Sequence, residues 1–216
     1  MYVKNYMTTN VVTISKTTRV LEALDLMKEH NIHRLPVVES GKLIGLVSEG
    51  VIQANSPSSA TSLSIHEMNY LLTKTVVGDI MLKKVVTITS DALLEEAADT
   101  MRKNQISVLP VVTADNQIIG IITEKDIFAA FLDLLGYYNQ GTRVVVDITE
   151  DHTGILEKLT HLFTEENMSI DQIAVYRQEG LTQVVIQVAS LELEIIKQKL
   201  TENGYIVSSC ILKEGQ

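Results

Sequence analysis

The sequence contains few of the residues on which several classes of protein depend. It has no tryptophan and only three prolines in 216 residues, and its single cysteine, Cys210, excludes an internal disulfide and a cysteine-cluster metal site. No apolar run approaches the ~18 residues of a membrane helix, and the first residues lack the apolar stretch of a signal peptide. We therefore expect a cytoplasmic protein with no membrane partner.

Positive charge is also scarce. The 18 lysines and arginines are outnumbered by 27 acidic residues, which gives a formal net charge of −9. A general nucleic-acid binder needs a basic face that displaces counterions from phosphates, so nucleic acid is not an expected partner. Apolar residues make up 45% of the chain and charged residues 21%, as in an ordinary globular protein.

An internal repeat fills the first half of the chain. Residues 7–38 align without gaps to residues 81–112, at an offset of 81 − 7 = 74, with 14 identities in 32 pairs. After one inserted residue the match resumes, with Gly45 to Glu49 paired with Gly120 to Glu124. Two collinear matches of this length indicate two copies of one unit. Because one such unit buries too little surface to be stable alone, we predict that the copies pack face to face around a pseudo-twofold axis.

Each copy is predicted to run strand, helix, strand, strand, helix. In the first copy, strands are expected at 11–14, 32–38 and 43–47, and the first helix is expected at 18–30. Thr17 or Thr18 would cap the helix, as Ser90 or Asp91 would in the second copy. On that helix, Met27 falls on the apolar stripe and is expected in the core.

A polar insertion separates the two copies. It covers residues 55–64, and Ser64 and Glu67 are spaced as a capping box before Met68. We expect a short extra helix there, inside a connector that is mainly solvated.

The pattern changes in the last third of the chain. There the predicted order is strand, helix, strand, strand, helix, strand, at 143–149, 155–163, 173–176, 183–188, 191–203 and 205–212. Gly204 would end the second of these helices. This order is that of a ferredoxin-like split βαβ unit, so the predicted fold class of the whole chain is α/β, or α+β.

The landmarks of the repeat carry a family resemblance. The ordered motifs V-V-T-I, I-x-x-L-P-V-V and G-x-x-T/S-E resemble the CBS domain, which occurs as tandem pairs called Bateman modules. The resemblance covers about residues 1–135, with one repeat at about 1–62 and the other at about 75–135. After a linker at 136–142, the tail at 143–216 resembles an ACT domain, with D-H-T-G-I-L at its strand-to-helix turn. This combination is similar to the AcuB-type acetoin-utilisation proteins.

The CBS resemblance implies a regulatory ligand in the cleft between the repeats. That ligand would be an adenine nucleotide, namely AMP, ADP, ATP or S-adenosylmethionine, and no metal is required. The family's motif for ribose and phosphate, G-h-h-T/S-x-x-D, is complete in the second copy from Gly120 to Asp126. There a carboxylate can accept ribose hydroxyls, and Thr123 can donate to a phosphate. In the first copy Val51 stands where the motif has aspartate.

The family's pockets are crosswise, which implies that Asp126 faces His33 and Arg34, side chains suited to phosphate. Val51 would face Ser107 and Val108, where we expect no cation. We therefore predict one competent nucleotide site per chain, with the adenine against aliphatic side chains. The predicted site residues are Gly120, Ile121, Thr123, Asp126, His33, Arg34, Val12, Ile14 and Pro36. The alternative is that Asp126 only caps its helix and that His33 and Arg34 are surface residues.

The ACT resemblance implies either an amino-acid site or a dimerisation domain. The turn from Asp151 to Gly154 would present backbone N–H groups at a helix start, which suits a carboxylate. The candidate ligand residues are Asp151, His152, Thr153, Gly154, Asn167 and Asp171. The alternative is that the domain binds nothing and only dimerises, and a homodimer is expected in either case.

No catalytic constellation is found in the sequence. It contains no Walker loop, no G-x-G-x-x-G and no H-E-x-x-H, and Cys210 is expected in the core rather than as a nucleophile. We predict a non-enzymatic regulatory protein that senses an adenine nucleotide and signals through its tail to a partner protein that the sequence does not identify. The alternative function is that of a structural or interaction protein with vestigial pockets.

Overall fold

A computed structural model describes residues 1–55, 73–178 and 180–214 of the chain. The capping box expected at Ser64 and Glu67, and the short helix after it, lie outside the described residues. No helix in the described ranges is both long enough and apolar enough to cross a bilayer.

The chain divides into two compact units, Met1–Ile127 and Phe128–Gln216. This division falls inside a helix, Glu124–Leu134, whereas the predicted linker lies at 136–142.

The first unit contains the two copies of the repeat. Each copy has two helices and a two-stranded antiparallel sheet with one register shift. The first copy follows a 3-10 helix (Val3–Asn5) and comprises α1 (Val20–Glu29), β1 (Arg34–Glu39), β2 (Lys42–Ser48) and α2 (Glu49–Asn55). The second copy follows α3 (Val77–Ile80) and comprises α4 (Leu94–Asn104), β3 (Val108–Val112), β4 (Ile118–Thr123) and α5 (Glu124–Leu134).

The strand predicted at 11–14 is wrong in extent. Only one bridge forms there, between Ile14 and Val37, and Ile88 repeats it with Val111 in the second copy. Ile14 donates to the carbonyl oxygen of Pro36 and accepts the N–H of Val38. Pro36 itself has no N–H to donate, so the hydrogen bonds between this segment and β1 do not continue beyond these two.

The predicted helix caps are also wrong. The residue before α1 is Arg19, whose side chain makes no cap hydrogen bond, and Thr18 Oγ1 instead accepts the N–H of Ser15. Before α4, the N–H of Leu93 donates to Glu96 Oε2. The hydroxyls in the first copy therefore stabilise the loop that precedes the helix.

Each copy is completed by the segment that leads into the other copy. Thr8, at the start of the first copy, pairs with Ile121 in β4. Leu82, at the start of the second copy, pairs with Leu46 in β2. Val77 is fully buried in the core of the first copy, although it belongs to the lead-in of the second. Each copy therefore packs against a segment of the other, which agrees with the prediction that a single copy would not be stable alone.

Two glycines make room for this exchange. A methyl group at Gly45 would lie 2.5 Å from Met81 Sδ and 3.1 Å from a backbone oxygen. A methyl group at Gly120 would lie 2.6 Å from Met7 Sδ and 3.2 Å from a backbone oxygen. Gly120, which the family motif assigns to the nucleotide site, thus also has a packing role.

The core of the first copy lies between α1 and its sheet. Met27 is 1% exposed, which confirms it as a core residue, and Met101, its counterpart in α4, is 2% exposed. The buried cluster of the first copy consists of Ile14, Val20, Ala23, Met27, Leu35, Val37, Val47, Ile52 and Val77.

The second unit contains a four-stranded antiparallel sheet in the order β6-β7-β5-β8. Its elements are β5 (Gly141–Ile148), α6 (Ile155–Glu165), β6 (Ile170–Gln178), β7 (Leu181–Val188), α7 (Leu193–Glu202) and β8 (Ile206–Lys213). Alternate residues of β5 and β7 are buried together with one face of each helix, so the core lies between the sheet and the helices. Gly204 has a φ of 81° just after α7, as a residue that ends a helix requires.

The segment predicted as a linker is held against the second unit. Lys213 Nζ donates to the carbonyl oxygen of Gly136 at 2.7 Å, and Asn139 Nδ2 donates to Gln172 Oε1 at 3.1 Å. Gly141 already belongs to β5. Burial, together with the charge of Arg143, lowers the pKa of the Lys213 ammonium.

Candidate functional site

A cavity of about 260 Å³ lies in the first unit, and its walls come from both copies. Its apolar wall consists of Leu46, Leu82, Val85, Val86, Ile106 and Val108. Its polar groups are Arg34, Ser48, Lys84, Gln105 and Ser107. None of these lining residues, all from the described ranges, carries a carboxylate, so the cations Arg34 and Lys84 share the lining with an apolar wall.

Arg34 links the two copies at this cavity. It lies at the start of β1, and its Nη2 donates to Ser107 Oγ at 2.7 Å, just before β3. The expectation that no cation lies beside Ser107 and Val108 is therefore wrong. The pseudo-twofold arrangement brings the segments before the two Leu-Pro pairs together, and the Ser107 hydroxyl offers the guanidinium an acceptor.

Ser48 and Val51 form the first-copy version of the family motif. The N–H of Val51 donates to Ser48 Oγ at 3.2 Å, so this hydroxyl accepts a bond in the first turn of α2. The side chain of Val51 packs against the core of the first copy.

The second copy places a carboxylate at the corresponding position. Asp126 Oδ2 accepts the N–H of Thr123 at 2.7 Å and the hydroxyl of Thr123 at 2.8 Å. Both bonds lie in the part-buried first turn of α5, so Asp126 stabilises the start of that helix. A role of the same carboxylate in binding ribose stays a prediction.

His33 and Arg34 have different partners. His33 Nδ1 lies 2.9 Å from Glu49 Oε2, and both side chains are more than half exposed. In the part of the chain that the structure describes, no hydrogen bond or ion pair joins Asp126 to His33 or to Arg34. Their predicted convergence on one phosphorylated ligand therefore involves no direct contact between them.

The residues predicted to contact adenine differ in burial. Ile14 is 6% exposed and belongs to the core cluster, so its side chain packs inside the first copy. Pro36 is buried in β1, whereas Val12 and Ile121 are half-buried. Of the four, Val12 and Ile121 keep the accessible surface that stacking on a base requires.

A second cavity, of about 250 Å³, lies in the second unit beside the predicted turn. It is lined by Asp147, Ile148, Thr149, Glu150, His152, Ile155, Lys158, Asn203, Gly204 and Tyr205. Burial, and to a lesser degree the charge of Glu157, raises the pKa of the Tyr205 hydroxyl. The turn itself reaches α6 through Gly154, whose φ of 90° suits glycine.

The six candidate ligand residues of the tail are not brought together. Asp151 forms an ion pair with Arg177 at 2.9 Å, and His152 Nδ1 lies 2.9 Å from the backbone oxygen of Thr153. Asn167 and Asp171 lie beyond the far end of α6, whose 11 residues span about 16 Å. A ligand at the turn is therefore out of reach of these two side chains.

Sequence reasoning missed several polar residues of the cavities, among them Lys84, Lys158 and Tyr205. Lys84 lies in the segment leading into the second copy, where the repeat aligns it with Asn10. A cation in one copy at the position of a neutral residue in the other is the sequence feature that could have pointed to Lys84. Lys158 and Tyr205 come from separate elements of the second unit, and no sequence spacing links them to the turn.

The described ranges offer little to a metal ion or to a reactive thiol. No group of three histidine, cysteine, aspartate or glutamate side chains there is arranged to hold a metal ion. Cys210 is half-buried, and burial raises the pKa of its thiol, which disfavours the reactive thiolate.

Comparison with known proteins gives matches over the repeated part of the chain. The sequence model of the CBS domain matches residues 3–52 and 77–133. The CBS domain-containing protein YhcV of Bacillus subtilis is 32% identical over 125 residues, which are 58% of this chain and 81% of YhcV. An acetoin utilization protein, AcuB from Vibrio cholerae, is 30% identical, with a TM-score of 0.53 over 62% of this chain and 93% of AcuB.

Two similar solved structures hold adenine-containing ligands. CBSX2, from Arabidopsis thaliana, is 32% identical over 61% of this chain and 96% of its own, with a TM-score of 0.51, and is in complex with AMP. The CBS domain pair of protein MJ0100 is 27% identical over 61% of this chain and 99% of its own, with a TM-score of 0.50. It is in complex with 5′-methylthioadenosine and S-adenosyl-L-methionine.

Several curated relatives are much longer than the matched region. The chain spans about half the length of the first of them, and only 23% of an inosine-5′-monophosphate dehydrogenase. Similarity to that enzyme therefore covers a minor part of it. The tandem landmarks, the exchanged lead-in segments and the matches to YhcV and AcuB agree, and the chain belongs to the CBS domain family, with one tandem pair in its first unit.

Proposed function

We propose that this protein is a non-enzymatic regulator that binds an adenine nucleotide in its CBS pair. The observation that carries the proposal is the 260 Å³ cavity, in which Arg34 and Lys84 face an apolar wall built from both copies. Such a lining suits a ligand with an apolar body and an anionic group. The adenine-containing ligands of CBSX2 and MJ0100 support this choice.

A ligand in this cavity would contact both copies at once. It would therefore favour the arrangement of the copies that places Arg34 and Lys84 around its anionic group, which is a shift of population. Helix α5 carries this change onward, because it starts at the second-copy motif and continues past the first unit. The protein that receives the signal is a partner of this chain.

A thermal shift series with AMP, ADP, ATP and S-adenosylmethionine tests the proposed function. A ligand at a hundred times its dissociation constant stabilises the folded state by ~2.7 kcal/mol, so binding raises the melting temperature. An unchanged melting temperature with every ligand would instead favour the structural or interaction protein.

We also propose that the pocket predicted around Asp126 binds a nucleotide, as a second site in the pair. The complete motif from Gly120 to Asp126 supports it, and so does the closeness of the Thr123 and Asp126 side chains, 2.8 Å apart. In this pocket a carboxylate is available for the ribose hydroxyls, so the site would select ribonucleotides.

For the tail we propose an ACT domain with the ferredoxin-like fold that mediates homodimerisation. The strand order β6-β7-β5-β8 and the element order βαββαβ support this fold. Exposed apolar side chains on both edge strands, Ile173 and Tyr176 on β6 and Ile211 and Leu212 on β8, support pairing of the sheet. Sedimentation equilibrium of the full chain tests it, and a monomer at all concentrations would contradict it.

A second candidate function of the tail is binding of an amino acid. The 250 Å³ cavity supports it, because Glu150 and Lys158 give it charges of both signs, as a zwitterion requires. Calorimetry with the twenty amino acids tests this function. We expect Lys158→Gln to abolish binding of the active amino acid and Lys197→Gln, on the exposed face of α7, to preserve it.

A further inference from the structure

We infer that the cavity beside Ser48 takes a nucleoside monophosphate without selecting for the ribose 2′-hydroxyl, so that it binds 2′-deoxyadenosine monophosphate as well as AMP. This inference rests on the proposed function, because it names the ligand class of the same cavity.

The charge of the cavity selects a phosphate. Arg34 and Lys84 line it, and none of the described residues that line it is acidic, in a protein whose net charge is −9. Two cations without a carboxylate repel a sulfonium ion, which disfavours S-adenosylmethionine. The volume of about 260 Å³ lies below the ~300–1,000 Å³ of most ligand pockets, which favours one phosphate over three.

The missing carboxylate removes the usual means of recognising ribose. Val51 occupies the position that Asp126 has in the second copy, and its side chain packs into the core. The side-chain acceptors that remain among the described lining residues are neutral, namely the hydroxyls of Ser48 and Ser107 and the amide of Gln105. Hydrogen bonds to neutral acceptors are about half as strong as bonds to a carboxylate, so the 2′-hydroxyl adds little affinity here.

The experiment isolates the cavity by changing the other pocket. In the full chain with Asp126→Asn, calorimetry would compare AMP, 2′-deoxyadenosine monophosphate and S-adenosylmethionine. We expect AMP and its deoxy form to bind within about threefold of each other and S-adenosylmethionine to bind more weakly. Adding Lys84→Gln should weaken both monophosphates by about tenfold or more, because a charge-assisted bond is lost. Lys83→Gln, the matched control on the exposed neighbouring residue, should leave both affinities unchanged.

The possible results separate the two claims. A preference for AMP of about tenfold or more, dependent on Lys84, would overturn this inference and leave the proposed function standing. Tighter binding of S-adenosylmethionine than of AMP would also overturn it. Binding of no ligand would defeat the proposed function itself. If Asp126→Asn does not fold, the difference between the wild type and Lys84→Gln gives the affinities of the cavity.

Discussion

At the scale of single residues, the two copies have diverged where chemistry is concentrated. The second copy has Thr123 and Asp126 bonded to each other, whereas the first has Ser48 bonded to the backbone of Val51. Arg34 reaches Ser107 across the pair. The two pockets therefore carry different polar groups at the same positions of the repeat, because Ser48 and Val51 stand where the second copy has Thr123 and Asp126.

Asp126→Asn tests the proposed second pocket at this scale. Asparagine keeps an acceptor for the N–H of Thr123, so the melting temperature should change little. Loss of the negative charge should weaken AMP binding by about ten- to a hundredfold, since a bond to a charged group contributes ~1.5–3 kcal/mol. The measurement is calorimetry in the Lys84→Gln background, in which the first cavity binds AMP more weakly.

Asp115→Asn, in an exposed turn of the second copy, is the matched control for that change. Equal AMP affinities of the Asp126 and Asp115 variants would show that Asp126 only caps helix α5 and does not bind the nucleotide.

At the scale of elements, the two helices of the second unit are joined by an ion-pair cluster. Lys199 on α7 lies 3.0 Å from Glu165 and 2.7 Å from Glu166 at the end of α6. Hydrogen bonds from the ammonium lower the pKa of Glu165, and bonds to Glu166 and Glu165 raise the pKa of Lys199. The cluster therefore connects the stability of this unit to pH.

Stability of the second unit should fall in acid partly through this cluster. A carboxyl whose pKa is lowered in the folded state stabilises it fully above the usual glutamate pKa of ~4.3, and this contribution is lost as the pH falls through the lowered pKa. Urea unfolding should therefore show Lys199→Gln less stable than wild type at about pH 7, with the gap narrowing at about pH 3. Lys197→Gln is the matched control, and a gap of constant size would contradict the assignment.

At the scale of the whole molecule, helix α5 and the segment after it connect the nucleotide-binding pair to the tail. Helix α5 begins at the second-copy motif, and the segment after it is held to the second unit by Lys213 and Asn139. We propose that a change at the first turn of α5 is passed along this helix into that segment. We expect AMP to alter hydrogen exchange within residues 143–216.

Hydrogen exchange with and without AMP, read by mass spectrometry, checks this coupling. Lys213→Met removes the bonds to Gly136 and Tyr137, so it should speed exchange at 136–141 and reduce the response of the tail. Identical exchange in residues 143–216 with and without AMP would refute the coupling.

The elements were predictable where the pattern is local. The two copies, the helix over Val20–Glu29 and the element order of the tail follow from periodicity and self-similarity. The strand at 11–14 was not predictable, because its length depends on whether the neighbouring strand offers donors, and Pro36 offers none. The predicted helix caps were wrong because the Thr18 hydroxyl accepts its hydrogen bond from the N–H of Ser15, in the loop before the helix, and not from the helix itself.

The sequence by itself determined that this chain holds two CBS repeats and a separate tail, because hydrophobic spacing and repeated motifs are properties of the chain order. Only the tertiary structure decided that Arg34 and Lys84 line one cavity with Ser107, because these residues come from three segments that packing brings together. It also decided that Asn167 and Asp171 lie far from the turn at Gly154, since the length of a helix separates them. The sequence also showed that the copies differ at Val51 and Asp126, whereas the packing of the segments determines which side chains share a cavity.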